Sequence, residues 1–256
     1  MKKKRYRWIS VLTAIGILII WYLITEYGSM SELIFPSPKN VFKSFIEIMQ
    51  EGYKGHTLWQ HLFDSLKRIL SAYFLAIVIF VPLGLLSGYY TPINAVFEPI
   101  MSFFRPLPPL AYYSVLVLWL GIGDGSKVAL LFLAAAAPLY ISCVSGISRI
   151  KEDYINGART LGANERQIFF HVMFYAALPD IFTGLRNSMG SAYSTLVAAE
   201  MVAAVSGIGW LALDASKYLR SDIIFVGIIF MGITGIILDE ILKFIEKKVV
   251  FWKGKS

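Results

Sequence analysis

Polar chemistry is sparse in this chain, and it is concentrated in a few places. The stretch NGARTLGANERQIFFHVMFYAALP, Asn156 to Pro179, carries Arg159, Glu165 and Arg166 together with Gly157 and Gly162. Ile155, Ala158 and Leu161 fall at i, i+3 and i+6, an apolar stripe on a short amphipathic helix. Gly162 then ends that helix, because glycine is the residue most easily placed in a left-handed C-terminal cap. Gln167 to Phe174 leads into the next apolar run. Such a compact helical hairpin between two apolar runs offers a surface on which a partner can push; the alternative is an ordinary connecting loop.

Two isolated charges, Arg186 and Glu200, sit inside a long apolar run. Charges at membrane depth are functional candidates by default. They lie 14 residues apart, about 21 Å along a helix, so they cannot pair with each other. Arg105 or Lys127 are candidate partners for Glu200, and Arg186 is placed to snorkel toward an interface. Glu200 reads as structural or as a contact on a path. The same run carries Ser191, Thr195, Ala199 and Ala203, a small residue at every fourth position, with Ser194 beside them. Small-xxx-small stripes let transmembrane helices approach closely, so this face reads as close packing, as a dimer contact, or as the wall of a narrow translocation path.

Other chemistries lack their residues. Gly121 to Lys127 (GIGDGSK) has glycines and a lysine but not the G-x-x-x-x-G-K-[ST] order of a phosphate loop, and reads as a tight turn. His56, His61 and His171 stand without a carboxylate at ligand spacing and read as solvated or interfacial, with no metal. Cys143 is the sole cysteine, so no internal disulfide forms. No nucleophile elbow or pair of acids at catalytic spacing is present.

The elements that must hold these groups are membrane helices. The 256 residues are 57% hydrophobic and only 16% charged, with a mean hydropathy of +0.63; soluble domains carry roughly a quarter charged residues. The expected fold class is an all-α polytopic membrane protein of about six spans, near residues 8–25, 69–88, 107–120, 128–147, 175–205 and 223–244, with a polar loop at 148–172. The first run follows a basic start, as a signal peptide does, but no A-x-A-like cleavage site precedes Glu26, so it is retained. Leu107-Pro108-Pro109 allows a broken or re-entrant path at the third. No repeat or linker divides the chain, so residues 1–256 read as one domain.

Lysine and arginine in short loops favour the cytoplasmic side. With the amino end lie Lys2, Lys3, Lys4, Arg5, Arg7, Arg105, Arg149, Lys151, Arg159, Arg166, Lys243, Lys247, Lys248, Lys253 and Lys255. Opposite lie Lys39, Lys43, Lys54, Lys127, Lys217 and Arg220, a ratio of fifteen to six. Both termini and the 148–172 loop are therefore expected in the cytoplasm of a cell-membrane protein. The formal charge of +7 follows from this topology, and no nucleic acid is expected.

The loop resembles the coupling motif of ATP-binding-cassette (ABC) importer permeases, E-A-A, three residues, G, nine residues, I-x-L-P. Gly157, Ala158 and Gly162 match; Asn156 replaces the glutamate, Val172 to Tyr175 replace I-x-L-P, and Leu178-Pro179 supplies a later Leu-Pro. FRPLPPLAYYSVLVLWLGIGDGSK (Phe104–Lys127), ALPDIFTGLRNSMGSAYSTLVAAEM (Ala177–Met201) and GIGW (Gly207–Trp210) are similar to the taurine, aliphatic sulfonate and nitrate branch. The resemblance runs from about Phe35 to the carboxyl end. It implies a type I importer permease, a homodimer with two cytoplasmic ATPase subunits that bind ATP and Mg, and an extracytoplasmic solute-binding protein. It also implies that Ile155, Gly157, Ala158, Leu161, Gly162 and Ala163 couple to the ATPase. This chain itself needs no cofactor. The substrate it implies is taurine or another small sulfonate, with nitrate, bicarbonate or a thiamine-precursor pyrimidine as alternatives. A secondary transporter would show inverted repeats or paired broken helices, and neither is visible.

Overall fold

Apolar runs become helices, and the polar punctuation becomes their ends. The computed structural model describes residues 7–28 and 31–252. Lys2, Lys3, Lys4, Arg5, Lys253 and Lys255 therefore lie outside the described residues. In chain order the main helices are α1 (Arg7–Tyr27), α2 (Pro38–Gln50), α3 (Leu58–Tyr89), α4 (Thr91–Phe104), α5 (Pro109–Leu120) and α6 (Asp124–Ser148). They continue as α7 (Glu152–Thr160), α8 (Phe174–Ala203), α9 (Ile208–Ser216) and α10 (Ser221–Val249). A helical turn at Glu165–Gln167 and a π-helical turn at Ile168–Met173 run directly into α8.

Four helical stretches are long and apolar enough to cross a membrane: Leu58–Tyr89, Asp124–Ser148, Glu165–Ala203 and Ser221–Val249. Val11–Tyr27 and Pro109–Leu120 are shorter apolar helices. The second span thus begins eleven residues before the Ile69 expected from hydropathy. Thr57 explains this, because it caps α3 with a reciprocal Thr57/Gln60 capping box that satisfies two orphan donors. The longer helix also takes in Lys67 and Arg68, so the side opposite the amino end holds eight basic residues against fifteen. The third span resolves into α4 and α5, broken where Pro108 takes ψ 125. At 12 residues, α5 is about 18 Å long, short of the roughly 30 Å hydrocarbon core.

The core is a three-helix contact in which α6 lies along both α3 and α8. Ile69, Ala72, Ala76 and Phe80 of α3 meet Leu131, Leu139, Tyr140 and Cys143 of α6 and Ala177, Ile181, Ala192 and Leu196 of α8. Small residues permit the approach: a Cβ on Gly84 would stand 2.6 Å from the Cys143 Cβ, and one on Gly184 2.5 Å from the Ser142 Cβ. In lipid there is little hydrophobic gain from joining helices, so such close contact carries association. α7 lies at one end of this bundle and α9 at the other. At the α9 end, the amphipathic α2 buries Val41 and Ile48 in a second cluster with Leu58, Leu211 and Ile223.

Candidate functional site

The α7 hairpin forms as its sequence expects. Gly162 has φ +82, the Ala163 N–H donates to the Ala158 carbonyl and the Gly162 N–H to the Arg159 carbonyl. Those two bonds make a Schellman cap. Asn164 then starts the next turn with a capping box to Gln167. Arg159 pairs with Glu165 at 3.0 Å, and the Tyr89 hydroxyl at the end of α3 donates to the same carboxylate, tying the hairpin to the bundle.

The stripe on α7 is divided. Ile155 and Ala158, with Ala163, pack against the chain's own core, while Leu161 is 89% exposed and Tyr154 64%. Gly157 has open space around it. The apolar face therefore does two jobs: its inner residues seat the hairpin, and Leu161 stands free beside the glycine turn.

At the opposite end, Glu200 is 1% exposed and its partner is Arg68, at 2.8 Å. Neither Arg105 nor Lys127 fills that place: the Lys127 ammonium donates to the Gly123 carbonyl at 3.0 Å and lies 4.0 Å from Asp124. Ser65 donates to both Glu200 oxygens, and the Gly209 N–H donates to Oε2 at 3.0 Å. Arg68 also bonds Asp124, the Ser206 carbonyl and the Ser206 hydroxyl. Apart from the Arg68–Asp124 arm, which ties in the start of α6, the network closes on residues 206–209 at the junction of α8 and α9. At Gly207, φ is +120 and a Cβ would stand 2.4 Å from the Glu200 carboxylate, so only glycine fits against the carboxylate there.

His61 is fully buried, which corrects the reading of it as solvated or interfacial. Its Nδ1 accepts from the Gly207 N–H at 3.1 Å, and its ring stacks on Trp210. Burial without a partner would cost a polar ring several kcal/mol; the turn supplies that partner. Among the described residues no cluster of histidine, cysteine or carboxylates could hold a metal. Nearby, Lys54 lies 2.9 Å from Asp214 and donates to the Tyr218 hydroxyl at 2.8 Å. Burial, then the hydrogen bond to Asp214, push the Tyr53 phenol up to about 12. Burial acts to raise the Asp214 carboxyl, but the Lys54 and Tyr53 hydrogen bonds outweigh it and hold the group below its usual range.

The small residues of α8 are used mostly within the chain. Ser191 donates to the Ala134 carbonyl of α6 at 3.0 Å, and Thr195 donates back to the Ser191 carbonyl. Ala199 is fully buried against Tyr113, Leu116 and Leu130. Ser194 alone of the group is exposed.

Residues 80–251 match the family described as binding-protein-dependent transport system inner membrane component. The chain belongs to that family. The permease is 34% identical to the taurine transport system permease protein TauC of Escherichia coli (strain K12), over 99% of this chain and 95% of that protein. It is 30% identical to the putative aliphatic sulfonates transport permease protein SsuC of Bacillus subtilis (strain 168), over 98% and 90%. It is 33% identical to the nitrate import permease protein NrtB of Synechocystis sp., over 93% and 87%. In fold it is similar to a chain of the MetNI methionine ABC transporter in an inward-facing conformation, with a TM-score of 0.58 and 18% identity over 75% of this chain and 94% of that one. The permease is thus a multi-pass inner-membrane component of an ABC importer, a transport subunit whose family works with an ATPase and a binding protein.

Arg186 of the permease does not simply snorkel. It pairs with Asp239 of α10, Nε to Oδ1 at 2.8 Å and a second nitrogen to Oδ2 at 3.3 Å. The sequence reading missed Arg68, Ser65 and Asp239 as partners. A signal for the first two exists: His61, Ser65, Arg68 and Ala72 recur at i, i+4, i+7 and i+11, a polar continuation of the buried α3 face. Nothing in the spacing ties Asp239 to Arg186, 53 residues away.

Proposed function

We propose that this permease imports a small organic anion, taurine or another sulfonate, delivered by an extracytoplasmic binding protein. The observation that carries the reading is the near full-length similarity to the taurine permease, 34% over 99% of the chain. The sulfonate and nitrate permeases score within a few per cent of it, so nitrate is the second reading. Two copies of the chain with two ATPase subunits, which bind ATP and Mg, complete the machine.

Residues 151–163 are the coupling element in this reading. Support comes from the rigid Schellman-capped hairpin, the exposed Leu161 and the open space at Gly157, into which a partner surface fits. Ile155, Ala158 and Ala163 act by seating the element, and Gly162 by letting it turn. The basic asymmetry supports placing α7 and both termini in the cytoplasm, which puts the Arg68–Glu200 network at the extracytoplasmic end. Ser191, Thr195, Ala199 and Glu200 support the path from behind, and Ser194 faces it.

The test is reconstitution of the permease in lipid with its ATPase and binding protein, followed by uptake of labelled taurine, ethanesulfonate and nitrate. Taurine or sulfonate uptake that requires ATP is the expected result. ATP-dependent nitrate uptake alone would select the second reading, and uptake without the ATPase would overturn both.

A further inference from the structure

The exposed surface of the long helices is apolar almost everywhere. Phe63, Phe74 and Val78 of α3 and Ile229, Ile233 and Ile237 of α10 all face outward, as lipid contact requires. One face of α8 departs from this. Thr183, Asn187, Gly190 and Ser194 are all exposed, and their spacing of four, three and four residues places them on one stripe about 16 Å long. The Asn187 amide has no hydrogen-bond partner among the described residues. An unpartnered amide is strongly disfavoured in hydrocarbon, so this face is not a lipid face.

Beside the stripe stands the Arg186–Asp239 pair, whose side chains are 34% and 39% exposed, with Lys243 on the other oxygen of the same carboxylate at 2.7 Å. A half-exposed ion pair on helices of the membrane bundle needs water or protein around it. Asp239 and Ser194 also line an open groove of about 560 Å³ between α8 and α10, floored by Gly232 and Gly235. A polar stripe and a charged pair thus lie on the same side of the chain, joined by a groove that Ser194 of the one and Asp239 of the other both line.

We propose that the Thr183–Asn187–Gly190–Ser194 face is the wetted wall of the translocation path, and that the Arg186–Asp239 pair sets the charge selectivity of that wall. This rests on the importer reading. The Asn187 amide replaces part of the water around a passing solute. The Thr183 and Ser194 hydroxyls, which donate to the Pro179 and Ser191 carbonyls, keep the wall polar and hold ordered water. Arg186 meets an anion while Asp239 limits how tightly it holds. The face differs from the Ser191/Thr195/Ala199 stripe, which the chain spends on its own packing.

The test uses the complete importer in cell membranes, with Cys143→Ala as background because that thiol is buried and is the only native one. Asn187→Cys and Ser194→Cys are compared with Ile237→Cys, using an anionic sulfonatoethyl and a cationic trimethylammonium-ethyl methanethiosulfonate as probes. The expected result is modification at Asn187→Cys and Ser194→Cys at least tenfold faster than at Ile237→Cys, with loss of uptake on modification. Adding Asp239→Asn to Asn187→Cys should raise the anionic-to-cationic rate ratio, and adding Arg186→Gln should lower it. Failure of both α8 thiols to react would make this face a dry contact between copies and overturn the proposal. So would equal reactivity at Ile237→Cys, or a rate ratio that neither charge variant moves. Labelling is read independently of uptake. A wild-type chain that does not import would therefore count against the importer reading, whereas unreactive α8 thiols in a chain that does import would overturn this proposal alone.

Discussion

At the α9 end, Arg68 and Glu200 are 5% and 1% exposed; Glu200 accepts from Ser65 and Gly209, and Arg68 donates to Ser206 and Asp124. At the α7 end, Arg159 and Glu165 are 52% and 58% exposed and hold little beyond each other and Tyr89. The first arrangement clamps a turn from inside the bundle. The second steadies a hairpin that must stay available to a partner. Buried charges with every arm satisfied are costly to disturb, whereas exposed pairs contribute about 0–1 kcal/mol. One end is built to keep its shape, and the other to present a surface.

The largest expected effect comes from breaking the buried clamp. Glu200→Ala takes away the buried carboxylate that Arg68 and Ser65 hold and leaves Arg68 with the half-exposed Asp124 as its charge partner; removing one member of a buried pair costs about 3–5 kcal/mol. The thermal midpoint in detergent should fall by more than for any variant at the α7 end, and thiols placed in 204–209 should become reactive. An unchanged midpoint would show that Glu200 does not hold the turn.

Overpacking beside the clamp ranks second. Ala199→Leu forces a larger side chain against Tyr113, Leu116 and Leu130, at about 1–3 kcal/mol. The loss should appear in the isolated chain, before any question of assembly. A normal midpoint with a weakened dimer would move Ala199 to an interface between copies.

At the α7 end, Gly162→Val places a β-branched residue at φ +82, at a cost on the order of 1–3 kcal/mol confined to the hairpin. Leu161→Asp should leave stability unchanged, because Leu161 is exposed. Both should reduce recovery of the ATPase with the solubilised permease and reduce uptake in parallel. Ala158→Asp is a less clean probe, since Ala158 also seats the hairpin on the core. Wild-type ATPase recovery for Leu161→Asp and Gly162→Val together would return this segment to an ordinary loop.

The smallest effect is expected at Lys54, half-exposed over Asp214. Lys54→Met should lower the thermal midpoint least of these variants, because an exposed ion pair is screened by solvent. The Asp214 carboxyl sits below its usual range, so the contribution of the pair is present above the ordinary carboxylate pKa and is lost as pH falls through the depressed value. Hydrogen bonds to Tyr218 and Asp214 raise the Lys54 pKa, so its share is complete below the ordinary lysine pKa and is lost only as pH rises past the raised one. The difference between wild type and Lys54→Met should thus be flat near neutrality and shrink in acid. A difference that grows in acid would contradict the pairing.

Local pattern alone was enough for the existence of the four long membrane helices, though not for the start of α3 or the length of α5, and for the Gly162 cap and the short α7, because each depends on neighbours within a turn or two: hydropathy, capping side chains and a residue that tolerates positive φ. It was also enough to say that Arg186 and Glu200 cannot satisfy each other. Their actual partners were decided by tertiary structure. Arg68 lies 132 residues from Glu200 and Asp239 lies 53 from Arg186, and only the packing of α3, α8 and α10 brings them together. The same holds for the two stripes of α8. Periodicity marks Ser191, Thr195 and Ala199 as a close-contact face, but whether that contact is α6 or a second copy depends on how the helix is rotated. The rotation is set by the Gly184–Ser142 approach and the buried Leu196 and Ala192, and it leaves Thr183, Asn187 and Ser194 on the outside.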